Sequence, residues 1–234
     1  MMTSSSPHRV SRESLRDGQV RAQALASDPH ASLVTDAQHR RSVRQMLRDR
    51  PDGGGDVWLF GYGSLIWNPM VRFTARRVAT VPGYHRRFCV WTHLYRGTRA
   101  VPGLVLGLVP SGICRGVAFR IPAADAQAEL ELVWQRELIT AAYRPVWLRT
   151  VTAGGRGWAI GFVSNPGFVH YAGLLPEDRV VEIVAKARGY SGACAAYLAD
   201  TAAHLARLGI LEPALRRVRD RVAQLVESKA KNDL

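Results

Sequence analysis

Glu137 stands where a carboxylate is not expected. On a helical wheel of about 100° per residue, Leu130, Val133, Trp134, Leu138 and Ala141 form one apolar stripe of a helix predicted over residues 123–142, and Glu137 falls close to its centre. Glutamate is almost never fully buried without a partner, and burial disfavours its charged form. A carboxyl so placed can take and return a proton near neutral pH, as a general base or acid does. The same position also suits a helix end that reaches the surface, or a pair with Arg136, Arg144 or Arg149. The helix leaves these readings open.

The second feature is Phe60-Gly61-Tyr62-Gly63-Ser64-Leu65-Ile66-Trp67, a strand running into two glycines and a hydroxyl. Small residues there let backbone N–H groups approach a ligand closely, as anion-binding nests do. A tight strand-to-turn corner is the plainer reading. Two other motifs are excluded. The dinucleotide fingerprint needs a glycine where Ile66 stands, and the nucleophile elbow needs Gly-x-Ser-x-Gly, whereas Ser64 is flanked by Tyr62-Gly63 and Leu65-Ile66.

The elements that must position these residues are short apolar runs separated by Gly and Pro, read as strands near 57–62, 76–81, 84–92, 103–109, 114–121, 146–152 and 157–163. In the last, Trp158, Ile160 and Phe162 alternate with Ala159, Gly161 and Val163; both faces are apolar, so the strand belongs inside a sheet. Helical periodicity appears at 123–142, after Pro176 up to Gly189, at about 193–208, and from Pro213. Strands first, one helix among them and helices last argue for α+β rather than alternating α/β. Residues 1–55 are poor in large apolar side chains and end in Pro51-Asp52-Gly53-Gly54-Gly55. They are expected to form a basic, flexible arm, with a possible helix around 31–48, ahead of a domain at 56–228 and a tail at 229–234.

The chain has 234 residues, with 32 Lys and Arg against 19 Asp and Glu, a net charge of +13. No run approaches the ~18 apolar residues of a membrane span, and the N-terminus lacks an apolar signal core, so no membrane role and a cytoplasmic location are expected. Cys89, Cys114 and Cys194 are too few and scattered for a disulfide framework or a zinc site. His85 and His93 lie too far apart along one strand to chelate an ion, so no metal and no cofactor are expected. The charge raises a second class of function, a non-catalytic basic module binding nucleic acid. Against it, the aromatics sit in strands and apolar stripes rather than along a basic stripe, and no RNA or DNA motif is present.

The run Trp58 to Pro69 resembles the signature opening of the ChaC-type γ-glutamylcyclotransferases. The resemblance continues in order through Gly83-Tyr84-His85-Arg86-Arg87-Phe88, Arg96-Gly97-Thr98, Pro102-Gly103-Leu104, Gly116-Val117-Ala118-Phe119, Trp134-Gln135-Arg136-Glu137 and Tyr171-Ala172-Gly173, covering roughly residues 56–215. It departs at Gly189-Tyr190-Ser191-Gly192-Ala193-Cys194, where relatives commonly read Gly-Pro-Ser-Gly followed by Asn. The resemblance implies a small closed or nearly closed mixed β-barrel with flanking helices. It also implies an intramolecular acyl transfer, in which the substrate's α-amino group attacks its own γ-carbonyl to give 5-oxoproline. For ChaC-type members the substrate is glutathione and the released amine is Cys-Gly; other γ-glutamyl peptides or γ-glutamylamines are the nearest alternatives. No metal, nucleotide or enzyme nucleophile is implied.

On this resemblance Glu137 matches the family's catalytic glutamate, and Tyr62, Gly63, Ser64 and Leu65 match its binding loop for the γ-glutamyl group. Arg72 suits a substrate carboxylate, although a solvated arginine is the plainer reading. Tyr143 could line the pocket or only pack, and Tyr197 matches a late tyrosine of the family that could reach the site with its hydroxyl. The oligomeric state is not legible.

Overall fold

The computed structural model describes residues 10–232. Residues 1–9 of the expected arm and 233–234 of the expected tail lie outside them. Five strands, β1 (Val57–Gly61), β2 (Ala75–Thr92), β3 (Gly103–Ile121), β4 (Tyr143–Thr152) and β5 (Gly155–Ser164), close into a barrel in the order β1-β3-β2-β4-β5. The fold is α+β, as expected. β1 runs antiparallel to β3, β4 and β5 form a hairpin, and the parallel pair of β1 with β5 closes the ring, Leu59 opposite Ile160. In β5 the residues from Ala159 to Ser164 are all buried, which accounts for a strand apolar on both faces.

Two pairs of predicted strands are single long ones. The Pro82-Gly83 and Pro110-Ser111-Gly112 segments, read as breaks, bend β2 and β3 without ending them: Gly83 and Gly112 take φ of 83° and 70°, and His85 Nδ1 donates to the Ser111 carbonyl at 3.0 Å. Closing a barrel requires strong curvature, and irregular positive-φ residues within a strand supply it.

The chain divides into two compact units. One comprises Ala31–Arg87 and Leu106–Tyr171; the other comprises Met1–His30, Phe88–Val105 and Ala172–Leu234. The first holds α3 (Asp36–Arg48) and α4 (Ala126–Glu137). Of the described residues, the second holds α1 (Arg12–Arg16), α2 (Gln19–Ser27), α5 (Glu177–Lys186), α6 (Cys194–Arg207) and α7 (Pro213–Asn232). In this unit Glu177 and Asp178 at the start of α5 accept from Arg217 and Arg221 of α7 at 2.6–3.1 Å. No helix of the described residues is long and apolar enough to cross a membrane.

Within residues 1–55, α3 falls where a helix around 31–48 is expected, and α1 and α2 precede it. α3 begins with a capping box, Thr35 Oγ1 accepting from Gln38 N at 3.2 Å and Gln38 Oε1 accepting from Thr35 N at 2.8 Å. Only His39 and Val43 of α3 are fully buried, so its apolar stripe is too thin to be conspicuous in the sequence. Hydrogen bonds across the fold do the rest: Trp134 Nε1 donates to Ser42 Oγ and Trp147 Nε1 to the Met46 carbonyl, each at 3.0 Å.

Candidate active site

The helix that carries Glu137 ends on it. Periodicity predicts a helix to residue 142, with no glycine or proline from Leu138 to Ala142 to stop it, yet α4 closes with Leu138 N donating to Trp134 O at 2.8 Å. The following carbonyls are claimed from outside: Leu138 O accepts from His39 Nε2 at 2.9 Å and Ile139 O from Val34 N at 3.1 Å. Asn165 serves Ala141 O and Ala142 O through its Nδ2 and backbone N, both at 2.9 Å. The backbone beyond Leu138 is thus bound to other segments instead of to a further helical turn. Leu138 and Ala141 therefore lie outside the helix and its stripe. The inward face is Leu130, Val133 and Trp134, and Trp134 packs edge-on against Phe162 with ring centres 5.1 Å apart.

Glu137 is sunk but not sealed: its side chain keeps 16% of its exposure. Burial pushes its pKa above the ordinary carboxylate value, and the Arg136 guanidinium partly opposes that rise. Among the described residues Arg136 is the charged group set against it, Nε to Oε1 at 3.2 Å. The arginine partner that the sequence offers is therefore present, on a side chain that is largely buried.

Arg136 joins this carboxylate to the glycine loop. Its other nitrogens donate to Ser64 Oγ at 2.7 Å and to the Asn68 carbonyl. The loop is a 3₁₀ turn, Ser64–Ile66, in which Ile66 N reaches back to Gly63 O at 3.0 Å. In such a turn the N–H groups of Ser64 and Leu65 have no acceptor inside the turn. The loop folds back closely on Gly61: a Cβ there would lie 3.0 Å from Leu65 Cβ and 3.2 Å from Leu65 C, tighter than an ordinary packing contact. Buried Arg86 holds the other edge, donating to the Tyr62 carbonyl at 2.8 Å and to the Arg115 carbonyl. From the sequence, Arg136 is offered only as a partner of Glu137, and Arg86 only within the Gly83–Phe88 run. The tetrapeptide Trp134-Gln135-Arg136-Glu137 was the available signal for the first, and 32 basic residues hid both.

The structure thus brings Tyr62, Gly63, Ser64 and Leu65 together with Glu137, through Arg136. It gives the remaining candidates other contacts. The Tyr62 hydroxyl donates to Phe162 O at 2.8 Å, so this residue faces the loop with its backbone. Arg72 lies against Glu129 of α4, its backbone N 2.8 Å from Oε2 and its Nε 3.0 Å from Oε1, while its side chain is 71% exposed. Tyr143 donates its hydroxyl to Leu106 O at 2.9 Å. Tyr197 belongs to the other unit, edge-on to Phe88 and beneath the Arg96 guanidinium. There Gly189 and Gly192 pair in a two-stranded turn, and Ser191 N donates to Tyr95 O at 2.8 Å. Cys194 is buried and donates to Leu104 O at 2.9 Å; burial pushes its pKa up to about 11, which leaves it a thiol.

Over residues 57–229 the chain matches the family model described as ChaC-like protein. The chain belongs to the ChaC-like family. It is 38% identical over 186 residues to the glutathione-specific gamma-glutamylcyclotransferase of Escherichia coli (strain K12), an alignment covering 79% of this chain and 80% of that one. To the glutathione-specific gamma-glutamylcyclotransferase 1 of Homo sapiens it is 31% identical over 156 residues, 63% of this chain and 70% of the relative. The fold of this ChaC-like protein is similar to that of a yeast γ-glutamyl cyclotransferase specific to glutathione, with a TM-score of 0.67 and 22% identity over 73% of this chain and 97% of that one.

Two expectations for the stability of the ChaC-like protein arise from its carboxylates. Glu129 is buried and accepts two hydrogen bonds from Arg72, so Glu129→Ala should lower the unfolding free energy. Because Arg72 can be hydrated in its place, the loss should be about 1–2 kcal/mol in urea titration. Glu137, with a raised folded-state pKa, contributes stability that is present below its unfolded value and lost as pH rises through the folded one. Glu137→Gln keeps the neutral shape at every pH. Its Tm should therefore rise relative to wild type as pH climbs above the ordinary carboxylate value.

Proposed function

We propose that the protein is a glutathione-specific γ-glutamylcyclotransferase in which Glu137 moves the protons. The observation that carries this reading is the Arg136 guanidinium, bonded at once to the Glu137 carboxylate, the Ser64 hydroxyl and the Asn68 carbonyl. It sets a base with a raised pKa beside a turn whose first N–H groups are unclaimed within it. The 38% identity to the Escherichia coli relative supports glutathione as substrate.

The chemistry then runs on groups that are present. An α-amino group with an ordinary pKa near 8 is mostly protonated at neutral pH. The Glu137 carboxylate takes a proton from it, and the freed amine attacks the γ-carbonyl carbon. A five-membered ring closes and the carbonyl oxygen becomes an oxyanion, for which the N–H groups of Ser64 and Leu65 are fixed donors. Collapse breaks the bond to the cysteine nitrogen and protonated Glu137 returns its proton to that amine; the re-formed carboxylate then carries the surplus proton of the ring nitrogen to the same amine, which leaves as an ammonium. The products are 5-oxoproline and Cys-Gly. The basic charge suits an anionic substrate, and we place the reaction in the cytoplasm.

The test is product analysis with purified protein given glutathione, a γ-glutamylamine and N-acetylglutathione. The expected result is 5-oxoproline from glutathione in preference to the amine, and none from the acetylated compound, whose nucleophile is blocked. Preference for the γ-glutamylamine would move the substrate assignment. Turnover of N-acetylglutathione would sink the intramolecular mechanism.

A further inference from the structure

His39, which binds the carbonyl of the residue after Glu137, comes from α3, and α3 lies ahead of residue 57, where the family match begins. We propose that α3 is a splint for the catalytic carboxylate, with His39 as a positioning residue acting through the Leu138 carbonyl. The inference rests on the reading of Glu137 as the base.

Leu138, the residue after Glu137, is held at both of its backbone polar atoms: N–H to Trp134 O and carbonyl to His39 Nε2. A carbonyl only accepts, so His39 Nε2 must carry a proton. His39 is 3% exposed, and this bond is fully buried. Without that donor the buried Leu138 carbonyl loses its partner, and the segment leaving Glu137 loses the bond that ties it to α3. A shift of that segment would move the Glu137 carboxylate. Ser42, three residues after His39 on the same face of α3, grips α4 a turn earlier by accepting from Trp134 Nε1 at 3.0 Å. Two side chains of α3 thus hold α4 at Trp134 and Leu138, on either side of Arg136-Glu137. The neighbouring Ile139 carbonyl is held by Val34 N, just before the helix.

The experiment uses the full chain with His39→Leu, which removes the donor at similar size, and His39→Gln, whose amide N–H reaches to the position of Nε2. Three readouts are taken: kcat and KM with glutathione, the carboxyl titration of Glu137 by ¹³C NMR, and thermal unfolding. In His39→Leu we expect kcat to fall about 10- to 100-fold, with KM within about threefold, because a misplacement near 1 Å suffices for such a loss. The Glu137 midpoint should move by about one unit toward the ordinary carboxylate value as the group gains solvent. His39→Gln should restore both. Wild-type kcat and titration in His39→Leu would overturn the proposal, and so would equal impairment in His39→Gln, which would mean packing alone. If His39→Leu does not fold, His39→Asn, too short to reach the carbonyl, decides by the same readouts. A wild type inactive on glutathione whose Glu137 titration still responds to His39 would sink the substrate reading and leave the splint standing.

Discussion

Glu137→Gln is expected to lower kcat for 5-oxoproline release from glutathione by about 10²- to 10⁴-fold, the range that a positioned proton-transfer group contributes. The variant keeps the side chain's length and planarity, and its amide can still face the Arg136 guanidinium through its oxygen. What it loses is the site that accepts a proton from the α-ammonium and returns it to the leaving amine. Since both transfers belong to the reaction and not to ground-state binding, KM should stay within about threefold of wild type. Folding is not at risk, because the buried environment of Glu137 already favours its neutral form. Product formation by a quenched assay, with folding checked by circular dichroism, decides the matter. More than a tenth of wild-type kcat remaining in the variant would mean that another group is the base.

The second large effect is expected at Arg136, whose single guanidinium contacts the carboxylate and two atoms of the loop. Arg136→Met keeps the stem and removes all three contacts. Two losses follow. The loop and the carboxylate are no longer tied, which should cost about 10²-fold in kcat/KM at neutral pH. The charge that opposes the burial-driven rise in the Glu137 pKa also disappears, so that pKa climbs further. A base works in its ionised form, so the acid limb of the pH–kcat/KM profile should move to higher pH. Arg136→Lys separates the two effects: an ammonium restores much of the charge and hence the limb, but cannot reproduce the planar fork that reaches three acceptors. An unmoved acid limb in Arg136→Met would show that the guanidinium does not tune Glu137. Full activity in Arg136→Lys would show that charge alone matters.

Particular elements show how far composition and pattern reach. The strands at 57–62 and 157–163 were legible because alternating or uninterrupted apolar residues reflect burial that is local to each strand. β2 and β3 each read as two strands in the sequence, because Pro82-Gly83 and Pro110-Ser111-Gly112 have the chemistry of turns and only barrel closure makes them bends. The sequence offers a helix around 31–48 but no reason for it to dock, since the anchors of α3 are hydrogen bonds to Trp134, Leu138 and Trp147, more than ninety residues away.

For the site the division runs along the same line. A carboxylate within an apolar stripe and a glycine-hydroxyl turn after a strand are patterns of neighbours, so residue order alone displays Glu137 and the Tyr62–Leu65 loop. That Arg136 joins them, that Arg72 lies on Glu129, and that α4 halts at Glu137 are outcomes of packing. Thirty-two basic side chains look alike in a sequence, and a helix terminus without glycine or proline carries no local mark. Which guanidinium reaches which carboxylate, and which carbonyl is taken by a distant donor, depends on contacts between segments far apart in the chain, whose distances are set only when the barrel closes.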